Sequence, residues 1–306
     1  MVNLPDIVVI AGPTASGKTA VGIEVAQRLD GEIISADARQ VYRYMHIGTA
    51  KPTAEERAAV PHHLIDFVDP AESYSAGQFA EDAADVIREL QARGKLPIVV
   101  GGAGLYVRAL LDGFSPMPTI APEIREPLQA EAQEGLRGLY SRLCEVDSEW
   151  AGKIQPSDRQ RIIRGLEVFE ASGKPLSEHQ KMPPEPLGLW SAKWFGLQWE
   201  REVLYDRINS RACQMFEDGL VEEVEGLRRK GYGSGLNALN TFGYREAFQY
   251  LDGEITEEQA LADLQQGTRR YAKRQMTWFR GEKRMQWVDP TEDHTLESIV
   301  GHLEKS

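Results

Sequence analysis

Residues 12–19 read Gly-Pro-Thr-Ala-Ser-Gly-Lys-Thr, directly after the apolar run Ile7–Ala11 and before an amphipathic stretch from Thr19 to Leu29. A Gly-x-x-x-x-Gly-Lys-Thr loop between a buried strand and a helix commits this part of the chain to a P-loop α/β sheet. The residue types follow from the chemistry. Glycines let the backbone wrap a phosphate, and amide N–H groups at the helix N-terminus attract its charge. Gly12, Pro13, Thr14, Ala15, Ser16, Gly17, Lys18 and Thr19 therefore form an expected phosphate or nucleotide site. Lys18 supplies a point charge there, and the Thr19 hydroxyl is placed to ligate Mg²⁺.

The rest of the pattern extends this fold. Apolar segments at 6–11, 32–36, 64–67, 97–101, 194–199 and 285–288 are expected strands. Helical periodicity covers 18–29, 77–93 and 104–111. Strands separated by helices imply a parallel sheet with helices on both faces. Between the proline clusters at 115–118 and 182–186 the chain reads as helical, with no strand candidate. The expectation is a P-loop NTPase-like core of residues 1–115 and 190–306, with an all-helical insertion at 116–189. After the insertion, apolar residues from Val203 to Leu227 make one stripe, read as a single long helix. Arg207 and Arg211, four apart, share a face of it. A last long helix opens at Thr256-Glu257-Glu258-Gln259, a capping-box pattern.

Composition narrows the partners. The 306 residues carry a net charge of −12, which excludes a generic nucleic-acid coat. Against that background two basic clusters stand out: Arg159, Arg161, Arg164 and Lys174, and then Arg269, Arg270, Lys273, Arg274, Arg280, Lys283 and Arg284, interleaved with Tyr271, Trp278 and Phe279. Localised polyanion binding follows. The opening Met1–Asp6 lacks the basic head of a signal peptide, and no apolar run nears the ~20 residues of a membrane span. The two cysteines, Cys144 and Cys213, fit a reducing compartment. A cytoplasmic, membrane-free monomer is expected. His62 and His63 read as structural loop residues, and Trp278 and Phe279 as packing for the last helix.

The loop shows what is bound, not what is done to it. An ATPase or kinase pairs it with a strand ending in a Mg²⁺-holding acid, yet strand 97–101 ends in Gly101-Gly102-Ala103-Gly104. The base-reading motif of a switch GTPase is missing too. The acid that does follow a strand is Asp37, in Ser35-Ala36-Asp37-Ala38-Arg39-Gln40-Val41-Tyr42. A strand C-terminus is where open α/β sheets build their sites. A carboxylate there either caps a helix at 38–45, ligates Mg²⁺, or takes a proton from a nucleophile.

Together these motifs resemble the tRNA dimethylallyltransferases. Along nearly the whole chain the similarity runs through 12–19, 35–42, Ile-Gly-Thr-Ala-Lys-Pro at 47–52, Pro61-His62-His63-Leu64, Tyr74-Ser75-Ala76, and Gly-Gly-x-Gly-Leu-Tyr at 101–106. It continues through Arg161–Val168, Gly243-Tyr244-Arg245 and Ala272–Arg280. The resemblance implies transfer of a dimethylallyl group from dimethylallyl diphosphate to the exocyclic amine of the adenosine 3′ of the anticodon, in tRNAs reading codons that start with U. It implies Asp37, Thr14, Lys18 and Arg211 as catalytic, with Mg²⁺ as cofactor. It further implies tRNA contacts from Asp37, Ala38, Arg39, Gln40, Ala103, Arg125, Gln160, Arg161, Ile162, Ile163 and Arg164, the insertion gripping the anticodon stem-loop. At Ala103 the family usually carries Ser or Thr, so backbone N–H groups rather than a hydroxyl are expected to serve there. The alternatives are a free-adenylate isopentenyltransferase, a P-loop kinase, and a non-catalytic RNA-binding module. The insertion and basic clusters weigh against the first, the missing acid against the second, and the Lys18–Thr19 pair beside Asp37 against the third.

Overall fold

The structure, a computed structural model, describes residues 5–291 and 295–304. Met1–Leu4, part of the opening segment read above, thus lie outside the described residues. The first part of the chain forms β1 (Ile7–Ala11), α1 (Lys18–Leu29), β2 (Gly31–Ser35), α2 (Ala54–Ala59), β3 (His62–His63), α3 (Ala76–Ala92), β4 (Leu96–Gly101) and α4 (Gly104–Asp112). The middle is helical: α5 (Pro122–Glu134), α6 (Arg137–Val146), α7 (Ser148–Ala151), α8 (Arg159–Ser172) and α9 (Leu176–His179). Then come β5 (Ala192–Leu197), α10 (Arg201–Glu217), α11 (Leu220–Arg229), α12 (Tyr244–Leu251), α13 (Glu257–Arg280), β6 (Met285–Val288) and α14 (Thr295–Glu304).

The chain divides into two compact units, residues 1–111 with 187–306, and residues 112–186. In the larger unit six strands lie parallel in the order β3-β2-β4-β1-β5-β6. β1 and β4 are buried along their whole length, because helices cover both faces of a parallel sheet. Phe79 and Ile87 of α3 and Val107 and Leu110 of α4 pack one face. Val25 of α1 and Ile299 and Leu303 of α14 pack the other. Trp278 and Phe279 join the first of these clusters. Among the described residues, no helix is long and apolar enough to cross a membrane.

The smaller unit has its own core, built on Leu128, Leu139, Leu143, Ile162 and Leu166. Buried Glu167 accepts from Arg125 Nε at 2.8 Å and lies 3.7 Å from Arg164, so one carboxylate ties α5 to α8.

Two sequence expectations need correction. The strand expected at 64–67 is β3 at 62–63 instead. Leu64 and Asp66 both take left-handed φ, which no strand accommodates. The helix expected through 203–227 is two helices, broken at Asp218-Gly219. Gly219 turns left-handed (φ 96°) and its N–H bonds Phe216 O, so α11 starts in a new direction with the same apolar periodicity.

Candidate active site

β4 lies between β1 and β2 in the sheet, so the loop after β1 and the acid after β2 face each other across the end of β4. That end is glycine for a steric reason. A Cβ on Gly101 would stand 2.0 Å from Ala36 O, and one on Gly102 would stand 2.2 Å from Gln275 Nε2. An acid at this strand end has no room.

The loop is wound as an anion cradle. Ala15 (φ 62°) and Gly17 (φ 88°) take left-handed backbone on either side of Ser16, which turns successive amides toward one point. The N–H groups of Ala15, Ser16, Gly17, Lys18 and Thr19 meet no acceptor among the described residues. Lys18 Nζ donates to Pro13 O at 2.6 Å. Burial and the nearby Arg211 guanidinium pull its pKa down to about 8, with Asp37 opposing them. Arg211, from α10, is likewise held below its ordinary value by burial, while Asp37 favours its charge.

Asp37 is not the cap of a helix: residues 38–45 run through turns. Its Oδ1 accepts from the N–H groups of Arg39 (2.8 Å) and Gln40 (3.2 Å). This Asx turn fixes the carboxylate and leaves Oδ2 without a hydrogen bond among the described residues. Two cavities, of about 380 and 320 Å³, share Thr14, Ala15, Asp37, Thr49, Arg211 and Tyr271 as lining. The first holds Lys18, Thr19 and Ser35. The second is lined by Ile208, Met215, Phe242 and Leu264, with Arg245 over the Phe242 ring (5.3 Å) and Arg274 over Tyr271 (5.7 Å). The Tyr271 phenol, pushed up to about 12 by burial and the Asp37 charge, stays neutral.

Thr14, Lys18, Asp37 and Arg211 thus come together. Ala38 and Arg39 line the second cavity and Gln40 the first, and several of the expected site residues have partners within the protein. Gln40 has no free amide: Oε1 accepts from Ser35 Oγ (3.1 Å), and Nε2 donates to Thr49 O (3.2 Å) and Ala50 O (3.0 Å). Arg39 donates to Asn237 O at 2.7 Å. The Ala103 N–H donates to Ala36 O at 3.1 Å. Arg125, Gln160, Arg161, Ile162, Ile163 and Arg164 belong to the smaller unit. Gln160 and Arg161 are exposed at the start of α8, whereas Ile162 and Ile163 are buried in that unit's core. His62 and His63 serve the scaffold: His62 Nδ1 lies 2.8 Å from Val60 O, and His63 Nε2 lies 2.7 Å from Glu32.

Sequence reasoning missed a set of supporting side chains. Gln275 Oε1 accepts from the Thr14 N–H (2.9 Å) while its Nε2 donates to Gly102 O (3.0 Å). Trp199 Nε1 donates to Ser16 O (2.9 Å), and Arg207 Nε donates to Ala15 O (2.9 Å). Glu223 accepts from the N–H groups of His46, Ile47 and Gly48 and from the Tyr244 hydroxyl, fixing the strip that carries Thr49. The only available signals were weak: Gln275 lies inside the motif at 272–280, and Arg207 shares a face with Arg211.

The sequence profile of the IPP transferase family matches residues 40–282, and that of the isopentenyl transferases matches residues 5–69. The tRNA dimethylallyltransferase of Koribacter versatilis is 49% identical over 298 residues, covering 97% of this chain and 96% of the relative. The Bacillus halodurans tRNA isopentenylpyrophosphate transferase structure superposes with a TM-score of 0.71 at 40% identity, covering 98% of this chain and 97% of the other. A eukaryotic dimethylallyltransferase acting on tRNA gives a TM-score of 0.79 at 27% identity, covering 96% of this chain and 77% of the other. The profile, the relatives and the P-loop facing Asp37 agree: the chain belongs to the IPP transferase family.

Proposed function

We propose that this protein transfers a dimethylallyl group from dimethylallyl diphosphate to the exocyclic amine of the adenosine 3′ of the anticodon, in tRNAs reading codons that start with U. The observation that carries it is the pairing, across the end of β4, of an anion cradle bearing Lys18, with Arg211 of α10 lining the same cavity, and a carboxylate oxygen left open on Asp37. The exocyclic nitrogen attacks the allylic carbon, the carbon–oxygen bond breaks, diphosphate departs, and the amine proton passes to Asp37. No water has to be activated, which suits a strand end without an acid at Gly101-Gly102. Negative charge grows on the departing oxygen, where Lys18, Arg211 and the loop amides would stabilise it. Each such preorganised group is worth roughly 3–4 kcal/mol of barrier. Holding amine and carbon in line supplies about 7–11 kcal/mol more.

The residues also fit Mg²⁺. The Thr19 hydroxyl makes no hydrogen bond among the described residues, and these hold no group of three His, Cys, Asp or Glu. A hard cation that keeps waters and takes phosphate oxygens needs few protein ligands, and the P-loop hydroxyl is one of them. When bound, Mg²⁺ supplies charge neutralisation to the diphosphate. Drawing the target base out of its stack costs a few kcal/mol, which contacts with the anticodon stem-loop must offset. Arg161 and Gln160 of α8 and the basic run of α13 are the residues proposed for that grip, by a cytoplasmic monomer.

The test is label transfer from radioactive dimethylallyl diphosphate with Mg²⁺, run on unmodified tRNA and on AMP. Label in tRNA is expected, falling about 10²–10⁴-fold in Asp37→Ala as for loss of a general base. Label in AMP alone moves the assignment to free nucleotides.

A further inference from the structure

We propose that Trp199, Arg207 and Gln275 are positioning residues that hold the P-loop in its diphosphate-binding conformation from outside the site. This rests on the diphosphate-transfer reading above. A cradle works only if its peptide planes turn carbonyls away from the anion and N–H groups toward it. In this chain the carbonyls are pinned individually by side chains from distant parts of the sequence. Arg207 Nε–H takes Ala15 O, and Trp199 Nε1–H takes Ser16 O, each at 2.9 Å. Because a peptide plane is rigid, fixing Ala15 O aims the Ser16 N–H, and fixing Ser16 O aims the Gly17 N–H. Gln275 holds the loop's entry by accepting from the Thr14 N–H while donating to Gly102 O.

Two further observations support the assignment. Ala15 takes a left-handed backbone (φ 62°) without being glycine, a conformation that persists only where surrounding contacts impose it. The Arg207 guanidinium also lies over the Trp199 ring at 4.2 Å, so the two anchors brace each other. Arg207 and Arg211 stand one turn apart on α10. A single helix therefore holds the outer rim of the loop with the first and faces the cavity with the second. Donor geometry and charge stabilisation are thereby coupled through one rigid element.

The experiment measures inorganic diphosphate binding with Mg²⁺ by calorimetry, beside separate KM values for donor and tRNA. Arg207→Met keeps an aliphatic arm at an exposed position and removes the guanidinium with its N–H groups, its charge and its stacking on Trp199, whereas Trp199→Phe leaves the charge in place. Trp199→Phe keeps a ring and removes the indole N–H. Each loses one anchoring hydrogen bond, so diphosphate affinity should fall about two- to tenfold, and donor KM should rise in step. The tRNA KM and the melting temperature of Arg207→Met should hold. Wild-type diphosphate affinity in both variants overturns the proposal. So does a loss that tracks the melting temperature and tRNA KM alike, which is the signature of a merely structural role. Failure of the unsubstituted protein to bind diphosphate removes the functional reading itself, and this proposal with it.

Discussion

Asp37 and Lys18 show how little side-chain chemistry the site needs once backbone has done the arranging. The Asx turn uses one carboxylate oxygen to hold itself and leaves the other without a hydrogen bond among the described residues. Lys18 carries the more testable consequence. With its pKa drawn to about 8, it is an ammonium below that pH and increasingly neutral above it. Only the charged form attracts diphosphate. In the free enzyme, kcat/KM for the donor should therefore fall as pH rises through about 8, approaching tenfold per pH unit. In Lys18→Met the residual activity should lack that limb over the same range. A pH–rate profile at saturating tRNA reads both. These two residues were legible in the sequence because each sits in a motif that states its own geometry. Trp199, Arg207 and Gln275 were not, since each acts on a backbone atom remote in sequence, and a backbone carbonyl leaves no mark in residue types.

At the level of elements, strand ends and their glycines decide the outcome. The strands were legible wherever β-branched runs were buried on both faces, as in β1 and β4. The expected strand at 64–67 failed because Leu64 and Asp66 are apolar and acidic residues set in left-handed turns, a conformation that residue type does not announce. The helix break at Gly219 was masked by apolar spacing that continues into α11. Gly101 gives a direct check of this scale. An alanine there would press its Cβ on Ala36 O, backbone next to Asp37, so β2 must shift. Gly101→Ala should destabilise the fold by about 1–3 kcal/mol, as overpacking does. Activity should fall further than the lost folded fraction explains. Urea unfolding alongside turnover separates the two effects.

For the whole molecule, the net charge of −12 hides where cations remain available. In the smaller unit Arg125 and Arg164 are bound to buried Glu167, whereas Arg161, 3.5 Å from the Asp158 carboxylate, and Gln160 are exposed at the start of α8. In the larger unit Arg270 and Lys273 of α13 are exposed. Arg161→Glu and Lys273→Glu should each weaken tRNA binding and flatten its salt dependence by about one unit of log–log slope, leaving diphosphate affinity unchanged. Binding titrations between low and moderate salt check this, and an unaltered slope would remove the residue from the interface.

The strand order itself has a last consequence. β1, which leads into the cradle, and β2, which leads to Asp37, are each laddered to β4, so the two strands stand two interstrand spacings apart, roughly 9–10 Å. Hydrogen-bonded strands do not slide sideways, and loops can be lengthened without altering that gap. The sheet is thus a fixed gauge for the leaving group. On the proposed reading, a donor whose phosphate chain is shorter could still find Lys18, but its reactive carbon would stop short of an amine held at Asp37, whatever the affinity.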